Sequence, residues 1–195
     1  MVPKNTKTRK KLIDVARELF AKHGKKSVTM NDIAEASKKG RRTLYTYFKS
    51  KEDIYKAVID NELSQILDEL ILVSEENSDP EEKLTKHIIT HLDAVKSTVN
   101  RNGSLKADFF HDIYEVERTR RKIDMKEVEL IRRILEEGVA KRFFKRVNID
   151  LTATIILYSL KGLEVPYIRQ GISMEFEENK NTIVEFVFSG IRKTH

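Results

Sequence analysis

With 195 residues, 39% hydrophobic and 35% charged, and only 7 Gly and 3 Pro, the chain is long enough for a substantial apolar core, and its wealth of charge with few breakers predicts an all-α protein. The absence of cysteine excludes disulfides, thiolate zinc sites and cysteine nucleophiles, and it fits a reducing cytoplasm. The net charge of +6 is unevenly spread: residues 1–56 hold 16 Lys and Arg against 6 Asp and Glu, and the remainder is mildly acidic, the footprint of a nucleic-acid reader joined to a body with another task.

The basic segment Met1–Lys11 has no apolar run behind it of the kind a secretory signal needs. It reads as a loose arm on which Lys4, Lys7 and Arg9 are placed to reach a DNA backbone or minor groove. Leu12, Val15, Ala16, Leu19 and Phe20 then recur at three-and-four spacing on a first helix that Gly24 can end in a left-handed conformation. Thr29 followed by Asp32 has the form of a capping box opening a short second helix with Ile33 and Ala34 inside. The chain turns at Lys38–Gly40, and Arg41–Phe48 reads as a third short helix presenting Leu44 and Phe48 on one side. Ser50 with Asp53 repeats the cap, and Ile54, Ala57, Val58, Leu63, Ile66, Leu67 and Leu70 carry a long fourth helix to about Val73.

Asp79-Pro80 breaks the pattern and starts a fifth helix running to about Val99. A turn at Asn100–Ser104 leads to two segments, Leu105 to about Arg120 and Lys122 to about Lys145, the second carrying Val128, Ile131, Ile134, Leu135 and Val139. Asp150 can cap the next helix, apolar on nearly every side at Ile155, Ile156, Leu157, Tyr158 and Leu160, which therefore demands cover all round. Within it Ala153–Leu160 is interrupted by Thr154 and Ser159 and is far shorter than the roughly 20 residues a membrane span requires, so a soluble protein with no membrane partner is expected. The last helix offers Ile183, Val184, Phe186, Val187, Phe188 and Ile191, more apolar surface than a terminal helix hides in a monomer. The final two of about nine helices are read as the seam of a homodimer, the alternative being that both pack into their own subunit.

The segment from Val28 to Ile54, VTMNDIAEASKKGRRTLYTYFKSKEDI, resembles the DNA-binding signature of the TetR family of repressors. The resemblance lies in the capped Thr29, Ile33-Ala34, Thr43-Leu44-Tyr45, Tyr47-Phe48 and Ser50-Lys51-Glu52. It implies a helix-turn-helix DNA-binding domain over 1–50 with three helices, and a helical ligand-binding and dimerisation domain over 51–195. The function implied is a ligand-responsive transcriptional regulator, a repressor released from double-stranded DNA when an unknown small molecule shifts the fourth helix.

The residues themselves support a DNA reader. Ile33, Ala34, Leu44 and Phe48 supply the apolar junction that fixes the angle of a helix lying in a major groove. The outward side is then Arg41, Arg42, Thr43, Tyr45 and Tyr47, where arginine can grip guanine O6 and N7 with two bonds and the hydroxyls suit phosphates or base edges. Lys51 adds a cation at a helix start where free N–H groups already favour phosphate, and Thr29 belongs to the same DNA-contacting set. The chain departs from the family pattern at Lys38, Lys39, Gly40 and Arg42. Gly40 still serves as a cap, whereas Lys38 lacks the free positive φ of glycine and Lys39 must lay its stem over apolar surface.

For a ligand the candidates are polar groups among apolar neighbours: His91, Phe109, His111, Tyr114 and Arg118. No cofactor, metal or catalytic residue is expected. Two rivals remain open, a ligand-independent DNA binder or activator with the same head and a helical metal-dependent phosphohydrolase. The second would use His87 and His91, one turn apart, or His111-Asp112. Against it, His87 falls on the solvent side of the helical wheel, and no carboxylate in the sequence is placed to complete a site.

Overall fold

A computed structural model describes residues 6–103, 113–168 and 180–193, with side chains for 7–103, 120–164 and 180–193. These residues form eight helices: α1 Thr6–His23, α2 Met30–Ala36, α3 Arg41–Tyr47, α4 Lys51–Glu75, α5 Pro80–Arg101, α6 Ile113–Ala140, α7 Ile149–Ile168 and α8 Lys180–Ile191. Among the described residues there is no strand, only an isolated bridge between Phe144 and Arg192. No described helix is long and apolar enough to cross a membrane. The segment read as a loose arm is helical from Thr6, so Lys7 and Arg9 belong to α1, and Arg9 lies over the Phe48 ring at 5.3 Å.

Short-range side-chain chemistry sets most of the helix ends. Thr29 Oγ1 accepts from Asp32 N at 3.2 Å while Asp32 Oδ2 accepts from Thr29 N at 2.8 Å, closing the capping box of α2. Gly24, at φ +78, ends α1. Ser50 Oγ accepts from Asp53 N at 3.1 Å to start α4, and Asp79 Oδ1 accepts from Glu82 N at 2.9 Å ahead of Pro80 in the first position of α5. Lys38 takes the left-handed conformation at φ +54, and the bonds Lys38 N to Glu35 O and Lys39 N to Ala34 O complete a Schellman turn after α2. That turn usually carries glycine; lysine here puts a Cβ into a conformation that costs it about 1 kcal/mol.

Two sequence expectations about the body change. The break expected near Arg120–Lys122 is absent, because Arg120, Arg121 and Lys122 are good helix formers with no glycine, proline or cap among them, and α6 runs through to Ala140. The cap of α7 is Asn148, whose Oδ1 accepts from Leu151 N at 3.1 Å, and Asp150 falls inside the first turn. The side chain that stands before the helix can reach its free N–H groups, whereas one already in the helix cannot fold back to them.

The chain divides into two compact units, Met1–Ser64 with Thr98–Arg120 and Gln65–Ser97 with Arg121–His195. In the first, Leu12, Ile13, Ala16 and Phe20 of α1 are buried with Ile33, Leu44, Phe48 and Ile54. The buried Glu62 of α4 accepts from Arg101 Nη2 at 2.7 Å and from Asn102 Nδ2 at 2.7 Å, fixing the end of α5 in this unit. In the second unit, Leu84, Ile88 and Leu92 of α5 pack with Ile131 and Leu135 of α6, Ile156, Leu157 and Leu160 of α7, and Val184 and Phe188 of α8. The apolar girth of α7 is covered on one side only. Leu151, Ile155 and Tyr158, spaced four and three residues apart, stay exposed, as does Phe186 of α8 at 77%.

Candidate nucleic-acid interface

The third helix is held by its apolar side and offers the rest. Leu44 is fully buried and Phe48 nearly so, while Arg41, Arg42 and Tyr45 are exposed and Thr43 and Tyr47 are half-buried. Gly40 precedes α3 in an extended conformation, and its carbonyl accepts from Leu44 N at 3.2 Å. The guanidinium groups of Arg41 and Arg42 make no hydrogen bond or ion pair among the described residues. Thr46 Oγ1 donates back to Arg42 O at 2.9 Å, which leaves that hydroxyl inside the helix. A short helix with its cations unengaged and its apolar side anchored can lie in a major groove without first breaking bonds of its own.

Around α3 the other sequence candidates are already occupied to different degrees. Thr29 is exposed, but its hydroxyl and amide are both tied to Asp32, whose carboxyl is held below the usual carboxylate range by those bonds to Thr29. Lys51 Nζ donates to Lys25 O at 2.9 Å and Lys26 O at 3.3 Å, so its ammonium braces the turn between α1 and α2. Lys39 is half-buried, and Lys38 is exposed.

In the body, the fold brings together what the sequence did not. His87, expected near solvent, is fully buried, because the Glu127 carboxylate reaches it from α6. His87 Nε2 lies 3.2 Å and His91 Nδ1 2.6 Å from Glu127 Oε1, and His91 Nε2 lies 3.2 Å from Glu164 Oε1 of α7. Burial opposes charge on His91, but Glu127 and Glu164 outweigh it and raise the imidazolium to about 10. Burial likewise pushes Glu127 up, and the two histidines overcome it and hold the carboxyl well below its ordinary range. So carboxylates do stand beside the two histidines, as a buried ion network joining α5, α6 and α7. Among the described residues no group of three or more His, Cys, Asp and Glu is arranged to hold a metal ion.

Of the ligand candidates, Phe109 and His111 lie outside the described residues, as do the side chains of Tyr114 and Arg118. His91 is committed to the ion network. The sequence reading missed an open groove between α4 and α6, with a volume of about 870 Å³ and an apolar floor that includes Leu67 and Ile134. No periodic signal marked it, since each of its walls reads as an ordinary amphipathic helix.

A family model for bacterial regulatory proteins of the tetR family matches residues 12–58, from within α1 through α2 and α3 to the start of α4. Over 189 residues the chain is 24% identical to an uncharacterized HTH-type transcriptional regulator of Bacillus subtilis, covering 94% of this chain and 96% of that protein. Among solved structures, a transcriptional regulator from Cytophaga hutchinsonii has a TM-score of 0.77 at 23% identity, covering 93% of this chain and 97% of its own. The transcriptional regulator FadR from Bacillus subtilis, solved in complex with stearoyl-CoA, has a TM-score of 0.70 at 20% identity, covering 94% of this chain and 99% of its own. Likeness at these identities shows a shared fold.

Proposed function

Because the chain belongs to the tetR family of bacterial regulatory proteins and is a DNA-binding transcriptional regulator with a helix-turn-helix head, we propose that it works in the cytoplasm as a homodimeric repressor, releasing a near-palindromic operator when a small molecule occupies its body. It catalyses no reaction in this reading. The observation that carries it is α3, where Arg41, Arg42 and Tyr45 face outward with both guanidinium groups unspent.

Arg41 and Arg42 read base edges, Thr43, Tyr45 and Tyr47 meet phosphates or single edges, and Thr29 and Lys51 meet the backbone at the helix starts by exchanging their present bonds to Asp32 and to the Lys25 and Lys26 carbonyls. Residues 1–50 form the DNA-binding domain and 51–195 the ligand-binding and dimerisation domain. Two copies join through α7 and α8, burying the exposed row Leu151, Ile155 and Tyr158 together with Phe186. Their recognition helices then enter successive major grooves about 34–36 Å apart. The stearoyl-CoA complex of the Bacillus subtilis neighbour supports a body that answers to a small molecule.

The test is selection of bound duplexes from a random pool, followed by affinity measurements on the selected operator. Arg41→Ala or Arg42→Ala is expected to lose about 1–3 kcal/mol at one base position and to relax the preference there. Unchanged binding by both variants would sink the assignment of α3.

A further inference from the structure

Among the described residues, two that are not glycine hold a positive φ, Lys38 at +54 and Arg142 at +66. Both stand just past a helix end where the chain reverses through the same pair of bonds: Lys38 N to Glu35 O and Lys39 N to Ala34 O after α2, Arg142 N to Val139 O and Phe143 N to Gly138 O after α6. Glycine adopts this conformation freely and asparagine with little penalty, whereas the Cβ of lysine crowds the following carbonyl. At Lys38 neither burial nor pairing offsets the strain. The preceding Ser37 is buried and its Oγ donates to Ala34 O at 3.0 Å, which fixes the turn, while Lys38 is exposed and its ammonium makes no hydrogen bond or ion pair among the described residues. Strain kept where the chain itself makes no use of the side chain points to a use outside the chain.

The place of the turn identifies that use. Lys38 precedes Arg41 by three residues, so their Cα atoms lie within about 11 Å of each other. In a helix-turn-helix the first helix crosses the DNA backbone and the start of the second reaches base edges, which puts the turn between them at the lip of the major groove, over the phosphates. We propose that Lys38 is an additional backbone anchor of this chain, its ammonium taking a phosphate oxygen beside the groove that α3 enters, in a turn where the family pattern has a small residue. The contact rests on the DNA-binding reading above and adds to it a residue outside both helices of the motif. A lysine suits a phosphate because it is a compact point charge that needs no particular plane of approach. The C-terminal end of α2 also favours a cation. Arg142 has the same help after α6, in the other compact unit, and so serves as the control for charge and strain without the contact.

The test is the salt dependence of binding to the selected operator, measured for the full chain and for Lys38→Gly, Lys38→Asn, Lys38→Arg and Arg142→Gly, with the melting temperature of each. Glycine and asparagine both accept the left-handed turn, so these variants are expected to melt no lower than the wild type. Each should flatten the slope of log affinity against log salt by about two, one phosphate for each head of a dimer, so that their deficit against the wild type grows about tenfold between about 200 and 50 mM salt. Base preferences should stay as they are, because a phosphate contact carries no sequence information. Lys38→Arg keeps the charge and should keep the slope, and Arg142→Gly should bind as the wild type does. A slope unchanged in Lys38→Gly and Lys38→Asn, a loss of affinity equal at all salt concentrations, or an equal flattening in Arg142→Gly overturns the proposal. Specific binding by the wild type with any of these three results defeats this inference and leaves the regulator reading intact, whereas failure of the wild type to select any duplex defeats the regulator reading itself.

Discussion

In the body, several cations meet carboxylates, from the surface to the core. Lys83 and Lys141 share Glu137, Arg132 and Arg133 share Glu129, Lys86 lies between Glu76 and Glu82, and His91 sits between Glu127 and Glu164 in the core. In the head, Arg41, Arg42 and Lys38 face outward with no partner among the described residues. A cation that already has a carboxylate has little attraction left for a polyanion, whereas an unanswered one keeps its field for the phosphate backbone. The contrast separates charge that organises the chain from charge that is presented to something else, and the net +6 of the whole chain conceals it.

The sharpest way to break this contrast is at the buried network. Glu127→Gln removes the nearest counter-charge of a buried imidazolium and is expected to cost about 3–5 kcal/mol in urea unfolding. His91, raised above its ordinary 6.5, contributes stability that is complete below pH 6.5 and erodes as pH climbs toward about 10. Glu127, lowered from 4.5, contributes stability that is complete above pH 4.5 and is lost as pH falls beneath it. Unfolding free energies of the wild type should therefore fall on both sides of that window, and the variant should show a flatter profile; a loss below about 1 kcal/mol would mean that the network does not organise the body.

A smaller effect sharpens the head's side of the comparison. Lys38→Gly relieves the left-handed turn after α2 and should gain about 1 kcal/mol, a rise of roughly 2–4 °C in melting temperature. If the variant also binds the selected operator less tightly, Lys38 is tolerated in a strained position for its charge; if binding is unchanged, its role is confined to the turn. The smallest effect is expected at the surface of the body. Lys86→Ala should leave the melting curve unmoved, because solvent screens the exposed pairs with Glu76 and Glu82. A marked destabilisation would show that surface pairing holds the body together and does more than neutralise it.

What was legible in the sequence was local. The capping box at Thr29, the Ser50 cap, the left-handed Gly24, the Asp79-Pro80 start and the Leu44–Phe48 anchor are made within three or four residues of each other, so a few positions carry the whole interaction. The outward arginines of α3 were legible for the same reason, since an anchored side defines the opposite one. The cap of α7 was misplaced by only two residues, between two side chains of similar chemistry.

Tertiary structure alone decided the rest. Whether His87 faced water depended on Glu127, forty residues away, and the partner of His91 on α7 lies seventy-three residues along the chain. The groove between α4 and α6 exists because two helices pack without closing, which neither helix records in its own periodicity. Local propensity can say where a helix starts and which side is apolar; which element covers that side is settled by packing against the whole chain.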